Sequence, residues 1–395
     1  MRILCVFGRY NYGDPKRGEG VEYTHFLPAF RALGHDVEHF ESFSRATHAD
    51  FASLNRALLA RVEAWRPKVV FTVLMMGEIW LETIDIIRAC GATVINWSTD
   101  DSWKYAEFSR LIASSFDAFA TTCPDAPAWY ARDGFNNCVL SQWAAAAGEL
   151  AEPLPSAGCT FDVSFVGSCY GTRAARVQRL RDSGVNVECF GHGWPNGPVD
   201  AVRLRQIVRT SRVSLNFSEA GRGGGRQIKA RVFEVPGAGG MLLTEHAPQL
   251  ARYFELDREI ICFSNDAELH EAVLRLLGDP EERNAIAVAG HRRVVREHTY
   301  ERRLAELLAK VTAGALHEVV PPDWDAFRAL VERHRSGPTL RVLGGVLRGI
   351  CALVWGRERG SRAARRILFE ASWRLLGRHT YTSAGLPGRL FYRES

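Results

Sequence analysis

Residues 226–245 read RQIKARVFEVPGAGGMLLTE, and they hold the chain's densest grouping of side chains that could act on a charged ligand. Arg226, Lys229 and Arg231 supply cations, Glu234 supplies one carboxylate within a short helical run, and Gly237 to Gly240 break that run before an apolar strand at 241–243. Cations beside a helix N-terminus can hold a pyrophosphate, because unpaired N–H groups and the helix dipole both favour negative charge there. A carboxylate one turn further in can accept hydrogen bonds from the two hydroxyls of a ribose. The same charges also suit an ordinary solvated helix face.

Other candidate groups lie earlier. Asp100 and Asp101 follow a strand ending at Asn96. Such carboxylates can take the proton of a reacting hydroxyl, or one of them can cap the next helix. Glu78, behind a strand at 69–74, carries the same two readings. Tyr10, Asn11, Tyr12 and Gly13, in the glycine-containing loop 8–20, are expected to face a sugar and diphosphate, with a plain tight turn as the alternative. His192, in Gly191-His192-Gly193, follows a strand and is expected to line the same cleft, whereas His298 near a helix end reads as structural. No further hard oxygen ligands cluster with the Asp pair, so no metal is expected. Walker loops, Ser-His-Asp elbows and zinc spacings are missing from the sequence, as is any module that reads nucleic acid.

The elements that must position these groups alternate. Apolar strands at 3–7, 69–74, 93–96 and 118–121 are separated by helical patterns at 23–33, 51–65, 79–87 and 108–112. The helix at 23–33 contains Pro28 and should end at Gly34. Pro153 to Gly158 interrupts the series, and a second one follows, with strands at 163–166, 185–190, 213–217, 241–243 and 260–263. Asn265 with Glu268 reads as a capping box, and Asp279-Pro280 as a second helix start. The expectation is two Rossmann-like α/β domains facing across a cleft: 1–152, a linker at 153–161, 162–312, and a helical extension at 313–395.

Composition agrees with that size. A chain of 395 residues, 46% hydrophobic and 24% charged, is long enough for two domains with real cores and is neither disordered nor fibrous. Nine scattered cysteines without a C-x-x-C pair suit reduced, packed thiols. No stretch after Met1 has the length of an export signal, which makes the cytoplasm the expected compartment. The net charge of +5 is uneven, since residues 339–395 carry eleven Arg, no Lys and three acids, giving +8 there and −3 upstream. Leu340, Leu343, Leu347, Ile350 and Val354 are expected on one face of a tail helix, and Ile367, Leu368, Ala371 and Leu375 on one face of another. Neither run is expected to span a bilayer. Arg-rich amphipathic helices with Trp355 and Trp373 can lie on an anionic membrane surface, or pack on the body or a partner subunit.

The run IKARVFEVPGAGGMLLTE, followed by LARYFELDREIICFSNDAEL and LLGDPEERNAIAVAGHRRVVREHTYERRLAEL, resembles the GT-B glycosyltransferases of group 1, closest to the spore-maturation (CgeB-like) branch. FVGSCYGTRAARVQRLRDSGVNVECFGHGW resembles the opening of that family's nucleotide-binding domain, including Gly167 and Ser168, while NYGDPKRGEGVEY and INWSTDDSW resemble its acceptor domain more loosely. The resemblance stops near residue 313. It implies that Glu234 meets the donor ribose and that Gly239 and Gly240 let the backbone approach the nucleotide. Lys229 and Arg231, with the glycine-rich segment at 221–225, would stabilise the leaving diphosphate in place of a metal. Many group 1 enzymes carry a second Glu where this chain has Arg226, and Glu219 is the residue that could compensate. The implied activity is transfer of a hexose-type sugar from a nucleotide-diphosphate sugar to a glycan or lipid-linked acceptor, with retention or inversion left open. A sugar-nucleotide epimerase of the same architecture and a non-catalytic nucleotide-sugar-binding scaffold are the alternatives.

Overall fold

The computed structural model describes residues 1–220, 225–312, 322–334 and 337–394. The chain divides into two compact units: Met1–Thr121, Asp125–Leu140 and Leu307–Ser395 form the first, and Thr122–Pro124 with Ser141–Glu306 form the second.

The first unit is built on β1 (Arg2–Phe7), β2 (Asp36–Glu41), β3 (Val69–Thr72), β4 (Thr93–Ser98), β5 (Ala118–Thr121) and β6 (Cys138–Leu140). They pair in the order β2-β1-β3-β4-β5-β6, parallel throughout. β3, β4 and β5 are buried along their whole length, which is why they read as unbroken apolar runs. β2 and β6 are the edge strands; DVEHFE is broken by charged residues and CVL is only three residues long, so neither gives that signal. Pro28 is accommodated in the first turn of the helix Leu27–Ala32, behind a wide π turn at Glu22–Phe26, and Gly34 follows the helix at φ +78°.

The second unit holds β7 (Phe161–Val166), β8 (Val187–Phe190), β9 (Ser211–Asn216), β10 (Leu242–Glu245) and β11 (Ile261–Phe263), all parallel, in the order β11-β10-β9-β7-β8. Both expected helix starts are present. The Asn265 side chain accepts from Glu268 N at 3.0 Å and that of Asp279 from Glu282 N at 2.9 Å. Glu268 reaches back to Ser264 N at 2.7 Å, so the box closes one residue early. The stretch around 153–158 is bound into this unit: the fully buried Arg283 donates to Leu154 O at 2.7 Å and to Ser211 O at 2.9 Å, and Asn284 accepts from Ser156 N at 2.9 Å.

The Arg-rich tail belongs to the core of the first unit. Its helices Pro338–Trp355, Arg357–Leu376 and Leu386–Leu390 enclose a small cluster with Cys351, Ala364, Leu390 and Phe391. Tyr381, 1% exposed, packs on Phe108 at 5.3 Å, and Tyr392 packs edge-on against Phe51 at 4.8 Å. Ser383 donates from Oγ to Glu82 at 2.8 Å, and Arg378 to Ser115 Oγ at 2.7 Å. Two tail expectations are corrected. Leu340 and Leu347 turn inward, whereas Leu343, Ile350 and Val354 face solvent with Val342, Val346 and Leu353, because the first helix is apolar on both sides. That helix, with 18 residues and mean hydropathy 1.3, is also long and apolar enough by length and composition to cross a bilayer. The linking residues 313–321 lie outside the described residues.

Candidate functional site

Ligands of open α/β sheets bind beyond the C-terminal ends of the strands, where the strand order reverses. In the second unit the reversal lies between β7 and β9, since β8 and β10 leave the centre in opposite directions. The loops behind these two strands carry much of the predicted donor site. Arg231 opens the short helix Arg231–Gly237, donates from Nε to Val166 O at 3.3 Å at the end of β7, and pairs with Glu234. Burial lowers the Arg231 guanidinium to about 10, against the opposing pull of Glu149. Glu219, in the loop after β9, accepts from Thr172 N at 3.3 Å, and its carboxylate lies where a Cβ at Gly171 (φ +59°) would stand. Tyr170 donates to Glu219 O at 3.0 Å, and Arg173 lies over the Tyr170 ring while holding Ser168 O at 2.8 Å. The exposed His192 joins the same edge through its carbonyl, which accepts from Cys169 N at 2.8 Å.

Arg226 arrives at the strand ends by another route. It donates to Ser264 O at 3.0 Å and approaches Glu245 at 3.4 Å. Glu245, at the end of β10, also accepts from Arg176 at 2.8 Å and from Ser218 N at 3.0 Å. Arg176 in turn holds Asp266 at 2.7 Å. Sequence reading missed Arg173, Arg176 and Glu245. The available signal was two arginines on the same helix face as Val177 and Leu180, at core spacing. Lys229 is half-buried two residues before the helix. Residues 221–224 of the glycine-rich segment lie outside the described residues.

Two predicted roles in this unit are corrected. Gly239 and Gly240 are buried, and a Cβ on them would stand 2.5 Å from Ala151 O and 2.8 Å from Val208 O. Their lack of a side chain lets protein backbones pass each other, and that packing accounts for both glycines. Gly167 is placed similarly: its carbonyl accepts from Trp194 Nε1 at 2.9 Å and crowds Gly191.

His298 is structural, as expected. Nε2 donates to Tyr253 O at 2.7 Å, Nδ1 accepts from Arg303 at 2.9 Å, and the rings of Phe233 and Phe254 lie against it. Burial lowers its pKa from 6.5 to about 4. The unfolded chain therefore binds the extra proton first, and stability present above pH 6.5 is lost as pH falls towards 4. The loss is expected to reach about 3 kcal/mol, and urea titrations at pH 7 and pH 4.5 should show it shrink in His298→Gln.

In the first unit the order reverses between β1 and β3. Asn11 braces the loop after β1 by donating to Glu19 O at 3.0 Å, and Tyr10 bridges the backbone of Glu19. Tyr12 is held at φ +55°, a conformation costly for a non-glycine residue, with its ring 70% exposed. Gly13 follows at φ +69°, where a Cβ would press on Phe43 O. Among the carboxylates, Glu78 is fully buried and accepts from Met75 N and Met76 N, both at 2.8 Å, so it shapes the loop after β3. Asp101 is 1% exposed and accepts from Ser98, Ser109 and Tyr130; burial raises its pKa against those hydrogen bonds. Neither of these two carboxylates is placed to meet a substrate hydroxyl. Asp100 is the accessible member of the pair. Its side chain makes no cap bond to the helix it precedes and lies 3.8 Å from Lys104. Glu22, not foreseen, sits in the π turn with its carboxyl raised by burial and by the charge of Asp100. Tyr12, Met75, Met76 and Lys104 line one cavity of about 410 Å³.

Residues 173–309 match the family model described as "Glycosyl transferase-like". Among solved structures, the chain is similar to sucrose-phosphate synthase from Thermosynechococcus elongatus (TM-score 0.58, 11% identity, covering 80% of this chain and 100% of that one). A glycosyltransferase from Rickettsia africae gives 0.55 at 10% identity, covering 80% and 99%, and Anabaena HepE in complex with UDP and glucose gives 0.51 at 12%, covering 78% and 100%. Two parallel sheets of six and five strands with this likeness make the fold GT-B. No curated protein matches the chain.

Proposed function

We propose that this chain is a glycosyltransferase that takes a hexose-type sugar from a nucleotide-diphosphate sugar held by the second unit and passes it to an acceptor hydroxyl held by the first. The observation that carries the reading is the Arg231–Glu234 pair at the end of β7, beside the reversal of strand order and inside the segment that matches the family model. In this reading Glu234 accepts from the ribose hydroxyls. The acceptor oxygen bonds to the anomeric carbon as the bond from that carbon to the diphosphate oxygen breaks, with the electron pair leaving on the diphosphate. Arg231, Lys229 and Arg226 stabilise that charge without an obligatory metal. Asp100, or Glu22 behind it, takes the acceptor's proton. The cavity in the first unit favours transfer over epimerisation, which needs no acceptor.

The test is a melting-temperature screen of nucleoside diphosphates and their sugars, with and without magnesium, starting from UDP-sugars because HepE was solved with UDP and glucose. A nucleotide that stabilises the protein without metal, followed by sugar release from the donor, is the expected result. Stabilisation without release over long incubation would favour the scaffold reading, and no stabilisation by any nucleotide sinks both.

The proposal includes attachment to an anionic membrane, at the inner face of the cell membrane, where a lipid-linked or surface-glycan acceptor would be found. Val342, Val346, Ile350, Leu353 and Val354 support it as one exposed apolar stripe with the exposed Arg341 on the same helix. Burying each aliphatic side chain contributes about 1.5–3 kcal/mol, so the double change Val342→Asp with Leu353→Asp should cut co-sedimentation with anionic vesicles more than about tenfold. Unchanged co-sedimentation would remove the membrane from the reading.

A further inference from the structure

We propose that the cavity beside the β1/β3 reversal of the first unit binds an acceptor carrying a phosphate ester on an apolar chain. This rests on the glycosyltransferase reading and names the acceptor class for it. The place itself is informative, because the loops after β1 and β3 meet where open α/β sheets bind ligands. Its volume of about 410 Å³ suits a small organic ligand. Its walls come from those loops, from the helical segment 103–108 after β4 and from the tail helix Arg357–Leu376.

The lining is cationic and apolar at once. Among the described residues it contains five cations (Arg17, Lys104, Arg362, Arg365 and Arg366) against three acids (Asp14, Glu107 and Glu394). The acids already face arginines: Asp14 lies 3.7 Å from Arg17, Glu107 3.6 Å from Arg366, which also pairs with Glu370, and Glu394 2.9 Å from Arg348, which is outside the cavity. Lys104 lies 3.8 Å from Asp100 and donates from Nζ to Met75 O at 3.2 Å. Burial first, then the charges of Arg45 and Arg366 against those of Glu78 and Glu394, lowers Arg365 to about 10, and an incoming anion favours its charged form. The remaining surface is aromatic or thioether, including Phe43, Phe108, Phe369 and Trp103, which gives a hydrocarbon chain a dry wall. A free sugar phosphate would satisfy the cations and leave this wall unused.

The experiment measures binding by the full chain, using calorimetry with farnesyl phosphate, farnesol, inorganic phosphate and glucose 1-phosphate as probes. Farnesyl phosphate should bind at least about tenfold more tightly than each of the others, and Arg365→Gln should weaken it by about tenfold or more. Equal affinity for farnesol overturns the phosphate assignment, and equal affinity for glucose 1-phosphate overturns the apolar one. If no probe binds while a nucleoside diphosphate still raises the melting temperature, the cavity assignment fails and the transferase reading stands; the reverse pattern spares the cavity and sinks the donor site. Arg17→Gln and Arg362→Gln change exposed side chains and carry the same test should Arg365→Gln not fold.

Discussion

Glu234→Gln should weaken nucleoside diphosphate binding by about 100-fold, a loss near 3 kcal/mol, because two hydrogen bonds from ribose hydroxyls to a charged acceptor become bonds to a neutral amide. Glutamine keeps the length of the side chain and some pairing with Arg231, so the unliganded melting temperature should fall little. Glu234→Ala is expected to do both kinds of damage, since it also leaves the Arg231 guanidinium, already disfavoured by burial, without its neighbouring carboxylate. Calorimetric titration of wild type and both variants with UDP, beside their melting curves, separates the effects. Unchanged UDP affinity in Glu234→Gln, with UDP bound by wild type, would show that the pair only holds the helix Arg231–Gly237 to the end of β7.

Removing the Tyr381 ring should destabilise the first unit by about 3–5 kcal/mol, the usual cost of truncating a buried aromatic side chain. The ring is 1% exposed, lies 5.3 Å from Phe108 and 6.2 Å from Phe369, and its hydroxyl donates to Glu107 O. In a unit of this size the melting temperature should drop by roughly 6–20 °C for Tyr381→Ala. Leu375→Ala, on the same tail but 81% exposed, should move it by no more than about 2 °C. Equal, small shifts for both would mean that the tail is detached in solution. Deletion of 339–395 would strip packing from the first unit, so only changes on the outward stripe test the proposed membrane attachment.

The second unit was the more legible one. Its strands, both helix starts and the charged run 226–234 were readable because each signal is local: buried parallel strands are continuous apolar runs, and caps depend on residues three apart. The first unit was read less well. Its edge strands β2 and β6 are only partly buried, and β2 mixes charged with apolar residues while β6 is only three residues long, so neither gives a continuous apolar run of strand length. Asp100 and Asp101 could not be told apart by type or spacing, and the difference between a half-exposed carboxylate and one enclosed by Ser98, Ser109 and Tyr130 arises from residues up to 29 positions away.

By itself, the sequence determined the α/β class, the two successive strand series and the chemical character of the run around Glu234, since periodicity and residue type are properties of neighbours along the chain. Tertiary structure alone decided the strand orders that bring the loops after β7 and β9, and after β1 and β3, side by side. It also decided that Gly239 and Gly240 serve backbone packing and that an Arg-rich tail supplies core aromatics and a cavity wall to the first unit. These outcomes depend on contacts between segments tens to hundreds of residues apart, where burial and charge are set by what the fold places opposite each side chain.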